Sequence, residues 1–324
     1  MKRHRKRLLL GGLPVAVVAA AAVAWYALQP RILTSTEAET PRQRLAAAIP
    51  TAVLLWSRDG RITVSRIAPW KPTPVTEGEN PRWSPDGSRF IFTRAGDVWL
   101  MKNDFSGAER VLRNVVTQYG TGAYWTTDGR RIVAISRRDP RRVLALDLAT
   151  RRTRVIHDES RPPYRGFRLG QCAELRFGGR YLLVFTADAG HRSMIVDLEK
   201  RRYIANDLML KGDCEPAWSP DGRFIVMTRR VRGNINRPLY ITYFDPEKGV
   251  LSKSAYFIGQ GRCHRAAVSN DSRYVLYESS GQIFCWPEDR RVKKARNGIQ
   301  LTATGKNSDP SLYIFPGRVP VPLR

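Results

Sequence analysis

The segment Pro81-Arg82-Trp83-Ser84-Pro85-Asp86-Gly87-Ser88-Arg89-Phe90-Ile91-Phe92 returns almost unchanged as Pro216-Ala217-Trp218-Ser219-Pro220-Asp221-Gly222-Arg223-Phe224-Ile225-Val226-Met227. A repeated unit constrains a chain more than composition does, because each copy must build the same piece of structure and stack on its neighbours. Weaker copies occupy 123–133, 173–183 and 267–276. Within the unit, Pro85 pre-sets the second position of a type I turn and Asp86 suits the third. Gly87 supplies the left-handed conformation that sends a second strand back along the first. Pro220, Asp221 and Gly222 repeat the arrangement.

From residue 51 onward, short apolar runs alternate with Gly, Pro, Asp and Asn, and no long stripe has helical spacing. This is an all-β pattern. A third apolar segment follows each hairpin, at 97–101, 143–148, 193–198, 239–243 and 282–286, so the repeating unit is a propeller blade of three or four strands. The residue heading each turn falls at Trp83, Trp125, Leu175, Trp218 and Val268, and a sixth copy at 309–315 ends without the rest of a blade. Residues 52–66 read as a hairpin lacking its innermost strand, and 311–315 as the strand that completes it. Six blades then close into a ring without exposed edges. Gly78, Gly120, Gly170, Gly212, Gly261 and Gly305 each precede an inner strand, giving six marks for six blades.

These Trp-Ser-Pro-Asp-Gly units and the six-blade count resemble the WD40-like (PD40) repeats of TolB-type propellers from bacterial envelopes, over roughly residues 51–315. The copies at 173–183 and 266–276 depart from the pattern, having lost the Pro and the Asp-Gly pairing. The resemblance implies a propeller that binds partners through an axial funnel, and it specifies blades rather than chemistry. It also implies a soluble periplasmic protein with an additional amino-terminal α/β domain, where this chain carries an apolar helix.

Residues 1–7 hold five Lys and Arg, and the 21 residues from Leu8 to Leu28 are uncharged. As a helix they would extend about 31 Å, enough for the hydrocarbon core of a bilayer. The basic cluster marks the cytoplasmic side, with Trp25 and Tyr26 at the far interface. Ala22-Val23-Ala24 leaves open a cleaved signal peptide. Either way the expected location is the periplasmic side of a bacterial inner membrane, as a single-pass protein if the helix is retained. The expected domains are an n-region and anchor at 1–28, a linker with at most one short helix at 29–50, the propeller at 51–315, and a tail at 316–324.

The formal net charge is +26, with 55 Lys+Arg against 29 Asp+Glu. Beyond residue 28 the excess is still +21. In an exported domain this disfavours nucleic acid and favours an acidic protein surface or anionic lipid headgroups as partner.

Motifs for catalysis or cofactors are absent: there is no Gly-x-Ser-x-Gly elbow, P-loop, His-Glu-x-x-His or Cys-x-x-Cys-His. His157, His191 and His264 lack metal-ligand spacing and read as surface or turn residues. Cys172, Cys214 and Cys263 precede the turn-heading residues of consecutive blades and should share one mouth of the ring. A disulfide between Cys172 and Cys214 is the expected pairing, with Cys263 too far from Cys285 to bridge. A metal or haem site using Cys172, Cys214, Cys263 and His264 is the alternative. The same mouth should gather Glu79, Arg82, Tyr119, Glu174, Asp213, Glu215, Arg262, His264, Lys306 and Asp309 into a polar funnel. The sequence thus points to a membrane-anchored structural or docking subunit of a membrane-protein complex, with no cofactor and no catalytic set. The alternative is a ligand-binding or enzymatic propeller, of lactonase, lyase or glycan-binding type, that uses the funnel.

Overall fold

The computed structural model describes residues 32–316 and 319, apart from 118–121, 165–166, 177–178, 187–192, 205–212, 230–237, 260–261 and 288–297. The side chains of 170–176, 213–215, 229, 253–257 and 259 also lie outside the description. The described chain forms one helix, α1 (Ser35–Ala48), and 24 strands in six four-stranded antiparallel sheets.

The first blade holds β1 (Ala52–Arg58), β2 (Arg61–Arg66) and β3 (Thr73–Glu77). The second holds β4 (Glu79–Trp83), β5 (Arg89–Arg94), β6 (Asp97–Lys102) and β7 (Glu109–Leu112). β8 (Ala123–Trp125), β9 (Arg131–Ile135), β10 (Arg142–Asp147) and β11 (Thr153–Asp158) make the third. β12 (Leu169–Arg176), β13 (Tyr181–Thr186), β14 (Ser193–Asp197) and β15 (Arg202–Ile204) make the fourth. The fifth consists of β16 (Asp213–Trp218), β17 (Phe224–Arg229), β18 (Leu239–Asp245) and β19 (Val250–Gly259). The sixth has β20 (Cys263–Val268), β21 (Tyr274–Ser279), β22 (Gln282–Pro287) and β23 (Ile299–Gln300). The last strand, β24 (Asn307–Ile314), pairs antiparallel with β1 and supplies the innermost strand of the first blade, as the sequence implies.

The core lies between blades. Phe90 and Phe92 of β5 pack toward Val53, Leu55 and Tyr313 of the first blade, while Ile91 between them packs toward Trp125 and Ile132 of the third. β13 divides in the same way, Leu182 and Val184 toward the third blade and Tyr181 and Leu183 toward the fifth. Both faces of each second strand are therefore buried, which is why these strands read as continuous apolar runs rather than as alternating ones.

The turn chemistry repeats as expected. Gly87, Gly129 and Gly222 take φ of +68°, +66° and +72°, and their amides donate to Ser84, Thr126 and Ser219 carbonyls at 2.8–2.9 Å. The hydroxyls of Ser84, Thr126, Ser219 and Ser269 each donate to the aspartate two residues on, at 2.5–2.7 Å. Each also accepts the amide hydrogen five residues on, at 3.0–3.1 Å. The degenerate sixth-blade turn keeps this geometry, with Ser272 at φ +61° in the glycine position.

The segment read as a linker contains α1. Thr34 and Glu37 form a capping box, and Leu45 and Ile49 enter the core cluster at the seam of the sixth and first blades. The one short helix allowed here has little apolar periodicity apart from Leu45 to Ile49 to hold it to the ring. Arg42 supplies the anchor instead: it is 3% exposed, donates to the Leu301 carbonyl at 3.0 Å and lies 5.0 Å from the Trp70 ring centroid. Among the described residues no helix is long and apolar enough to cross a membrane. The stretch from Leu8 to Leu28 lies outside them.

Candidate functional site

The inner strands β24, β4, β8, β16 and β20 surround a cavity of about 280 Å³ on the ring axis, at the end where the repeated turns lie. Its walls are Trp83, Tyr124, Trp125, Trp218 and Tyr313, with Ala217, Ala266 and Ala267 leaving the space between them. Among the described lining residues Arg82 carries the sole charge. Its Nη1 donates to the Pro81 and Pro310 carbonyls at 3.2 and 3.3 Å, and its guanidinium lies 5.4 Å from the Tyr124 ring centroid. The described lining contains no carboxylate, imidazole or thiol. An aromatic cup with one guanidinium suits a short apolar or aromatic group that carries negative charge.

Sequence reasoning missed Tyr124, Trp125 and Tyr313 as lining residues, although their positions beside the turn-heading residue were available. It also grouped Arg82 with Glu79 at the opposite mouth. The inner strands separate them by a bulge. Register shifts by one residue between Glu79 and Arg82, Gln171 and Glu174, Cys214 and Ala217, and His264 and Ala267. β24 carries the corresponding shift opposite Leu55 and Ser57. An extra residue turns the strand, so side chains before and after it do not share a direction. Asn80, Arg265 and Asp309 sit at these bulges with φ of +54°, +51° and +53°.

Of the residues expected at the polar funnel, Arg82 lines the axial cavity. Glu79 is exposed in a depression shared with Asp59, Arg61 and Arg94. Arg262 and Lys306 are exposed and His264 is half-buried. Asp309 is buried: its Oδ2 accepts from Ser308 at 2.8 Å and pairs with Arg265 Nη1 at 3.3 Å, while its Oδ1 has no partner among the described residues. Asn80 Oδ1 is buried without a described partner as well. Tyr119 and the side chains of Glu174, Asp213, Glu215, Cys172 and Cys214 lie outside the described residues, and the Cys172–Cys214 pairing with them. Cys263 and Cys285 are both buried. Among the described residues, no group of three His, Cys, Asp or Glu is placed to hold a metal ion. His157, read as a surface or turn residue, is instead fully enclosed, with Nε2 2.8 Å from Glu159 Oε1.

The turn aspartates around the cavity's rim are held below the ordinary carboxylate range. For Asp86, burial is the largest influence and pushes the carboxyl up, but hydrogen bonds from Ser84 and Ser88, with the Arg89 charge, outweigh it. Asp128 and Asp221 show the same balance, with Thr126 and Arg130, and Arg223 and Ser219, as donors.

The fold is similar to that of TolB from Acinetobacter baumannii, with a TM-score of 0.59 at 13% identity over 83% of this chain and 69% of that one. A putative TolB from Agrobacterium tumefaciens gives 0.51 at 16% identity over 70% and 86%. At such identities the likeness establishes a TolB-like propeller fold and carries no activity with it. No family model and no curated protein matches the sequence.

Proposed function

We propose that this chain is a protein-interaction propeller, held at the inner membrane by residues 8–28 with the ring on the periplasmic side, and that it serves as a docking subunit of a membrane-protein complex. The axial cavity receives a short segment of the partner, an aromatic or apolar side chain in the aromatic cup and a negative group opposite Arg82. The basic surface of the ring favours an acidic partner and tolerates anionic headgroups beside it. The observation that supports this reading is the cavity itself: aromatic walls contributed by strands far apart in sequence, one guanidinium, and no acid–base or nucleophilic set in the described lining. Aromatic and arginine side chains in a desolvated pocket are the usual anchors of protein recognition.

The test is crosslinking and solubilisation of the full chain from its native membrane in mild detergent. The chain is expected in an assembly larger than a monomer. Thr127→Trp, at an exposed position on the cavity wall, should release it while the thermal midpoint of the ring stays put, and Arg82→Glu should release it while the ring stays folded. Recovery of the unaltered chain as a monomer alone would overturn the proposal.

A further inference from the structure

Away from the axis, between the outer edge of the third blade and the fourth, lies a second cavity of about 420 Å³. Three guanidiniums line it, those of Arg142, Arg161 and Arg201. Asp158, with its side chain 7% exposed, lies 3.1 Å from Arg142 Nε and 3.4 Å from Arg161 Nε. The carboxylate holds the two side by side through their Nε atoms, and their terminal nitrogens have no partner among the described residues. Asp139 approaches the same Arg142 Nε at 3.3 Å and is shared with Arg141. Arg201 enters from the turn before β15 and donates through Nη2 to the Pro162 carbonyl at 3.3 Å. Asp158 and Asp139 are shared among the guanidiniums of Arg141, Arg142 and Arg161, and with Arg201 beside them the four positive charges outnumber these two carboxylates, an excess that an anion would offset.

Two further features of the cavity follow from a register shift between Val143 and Leu144, which places His157 opposite Val143 but Val155 opposite Leu144. The bulge turns His157 inward and leaves Val155 48% exposed. His157 lines the cavity with its side chain fully buried, bonded through Nε2 to Glu159, which also accepts the Tyr203 hydroxyl at 2.6 Å. Its Nδ1 is buried without a partner among the described residues.

We propose that this cavity binds a phosphate-type oxyanion with a small apolar neighbour. The phosphoryl oxygens would meet the free ends of Arg142, Arg161 and Arg201, and Val155 with Tyr164 would cover the apolar part. Three forked donors match a group with three or four oxygens better than a carboxylate with two. The site is independent of the axial cavity and of any docking partner.

The experiment titrates the full chain in detergent with inorganic phosphate and with glycerol phosphate, and measures its binding to vesicles of phosphatidylcholine with and without phosphatidylglycerol. Saturable binding of one equivalent of glycerol phosphate is expected. Arg161→Ser/Arg201→Ser, both at exposed positions, should weaken it at least about tenfold. Arg113→Ser/Arg130→Ser removes the same charge elsewhere and should leave it unchanged. Binding to phosphatidylglycerol vesicles that glycerol phosphate displaces identifies a lipid headgroup as the source; phosphate or glycerol phosphate binding without vesicle binding identifies a free phosphate compound. Absence of saturable binding, or equal loss in both double variants, would overturn the proposal.

Discussion

Tyr313 donates its phenolic hydrogen to the Pro85 carbonyl at 3.1 Å, across 228 residues of chain. The bond ties the strand that closes the ring to the first Pro-Asp-Gly turn. On its other side, Asn270 clasps the same strand, donating to the Ile314 carbonyl at 3.1 Å and accepting its amide at 2.7 Å. Asn270 occupies the position that proline holds in the complete repeats, so one degenerate turn of the sixth blade is also part of the closure.

This junction makes Gly87 a sensitive position. Its φ is +68°, and a Cβ built there would overlap the Tyr313 ring. Gly87→Ala should therefore cost the left-handed penalty plus an overpacking penalty, about 2–5 kcal/mol in all. Gly60 has φ +77° with nothing near its Cβ position, so Gly60→Ala should cost only about 1–2 kcal/mol. Urea unfolding of the two variants compares them, and equal losses would show that the Tyr313 contact contributes nothing.

Arg42 ties α1 to the ring through Leu301 and Trp70, and a 2.6 Å pair with Glu39 of the same helix orients its guanidinium. Arg42→Ala should destabilise by about 2–3 kcal/mol, and Arg42→Lys by less, since it keeps the charge but loses the fork. Hydrogen exchange should accelerate over 35–48 ahead of the blades. Unchanged protection of that segment would contradict the anchoring role.

Acid should weaken the ring through its turns. Asp86, Asp128 and Asp221 have folded pKa values below their unfolded ones. Their contribution is complete above the ordinary carboxylate value of about 3.9 and is lost as pH falls below it through the depressed folded values. The thermal midpoint should accordingly decline as pH is lowered from about 4. Asp86→Asn combined with Asp221→Asn should flatten that decline, and a profile identical to the unaltered chain's would refute the assignment.

Cys263 and Cys285 are both 0% exposed, and burial pushes the Cys285 thiol well above its ordinary range. Thiolate is the reactive form, so alkylation of the native chain should leave both unmodified, and denaturant should expose both together. Mapped labelling of Cys285 under native conditions would speak against its enclosed position.

The blades follow from local sequence alone. Its turn code acts over five residues or fewer: Ser84, Asp86, Gly87 and the Arg89 amide meet one another whatever the rest of the chain does. The two incomplete ends were legible for the same reason, since 52–66 and 311–315 each declare a missing neighbour. Tertiary structure decided where the side chains go. The bulge at Asn80 parts Arg82 from Glu79, and no pattern along a single strand announces a bulge made by pairing with the next one. Tyr124 becomes a wall of the cavity because Arg82 of the preceding blade lies against it. Arg42 docks the one short helix of the expected linker on the ring through Leu301 and Trp70, and His157 is enclosed because Glu159 and Tyr164 surround it. Local hydrogen bonds fix a turn from a few adjacent residues, whereas burial and a shared cavity depend on residues brought together from distant parts of the chain.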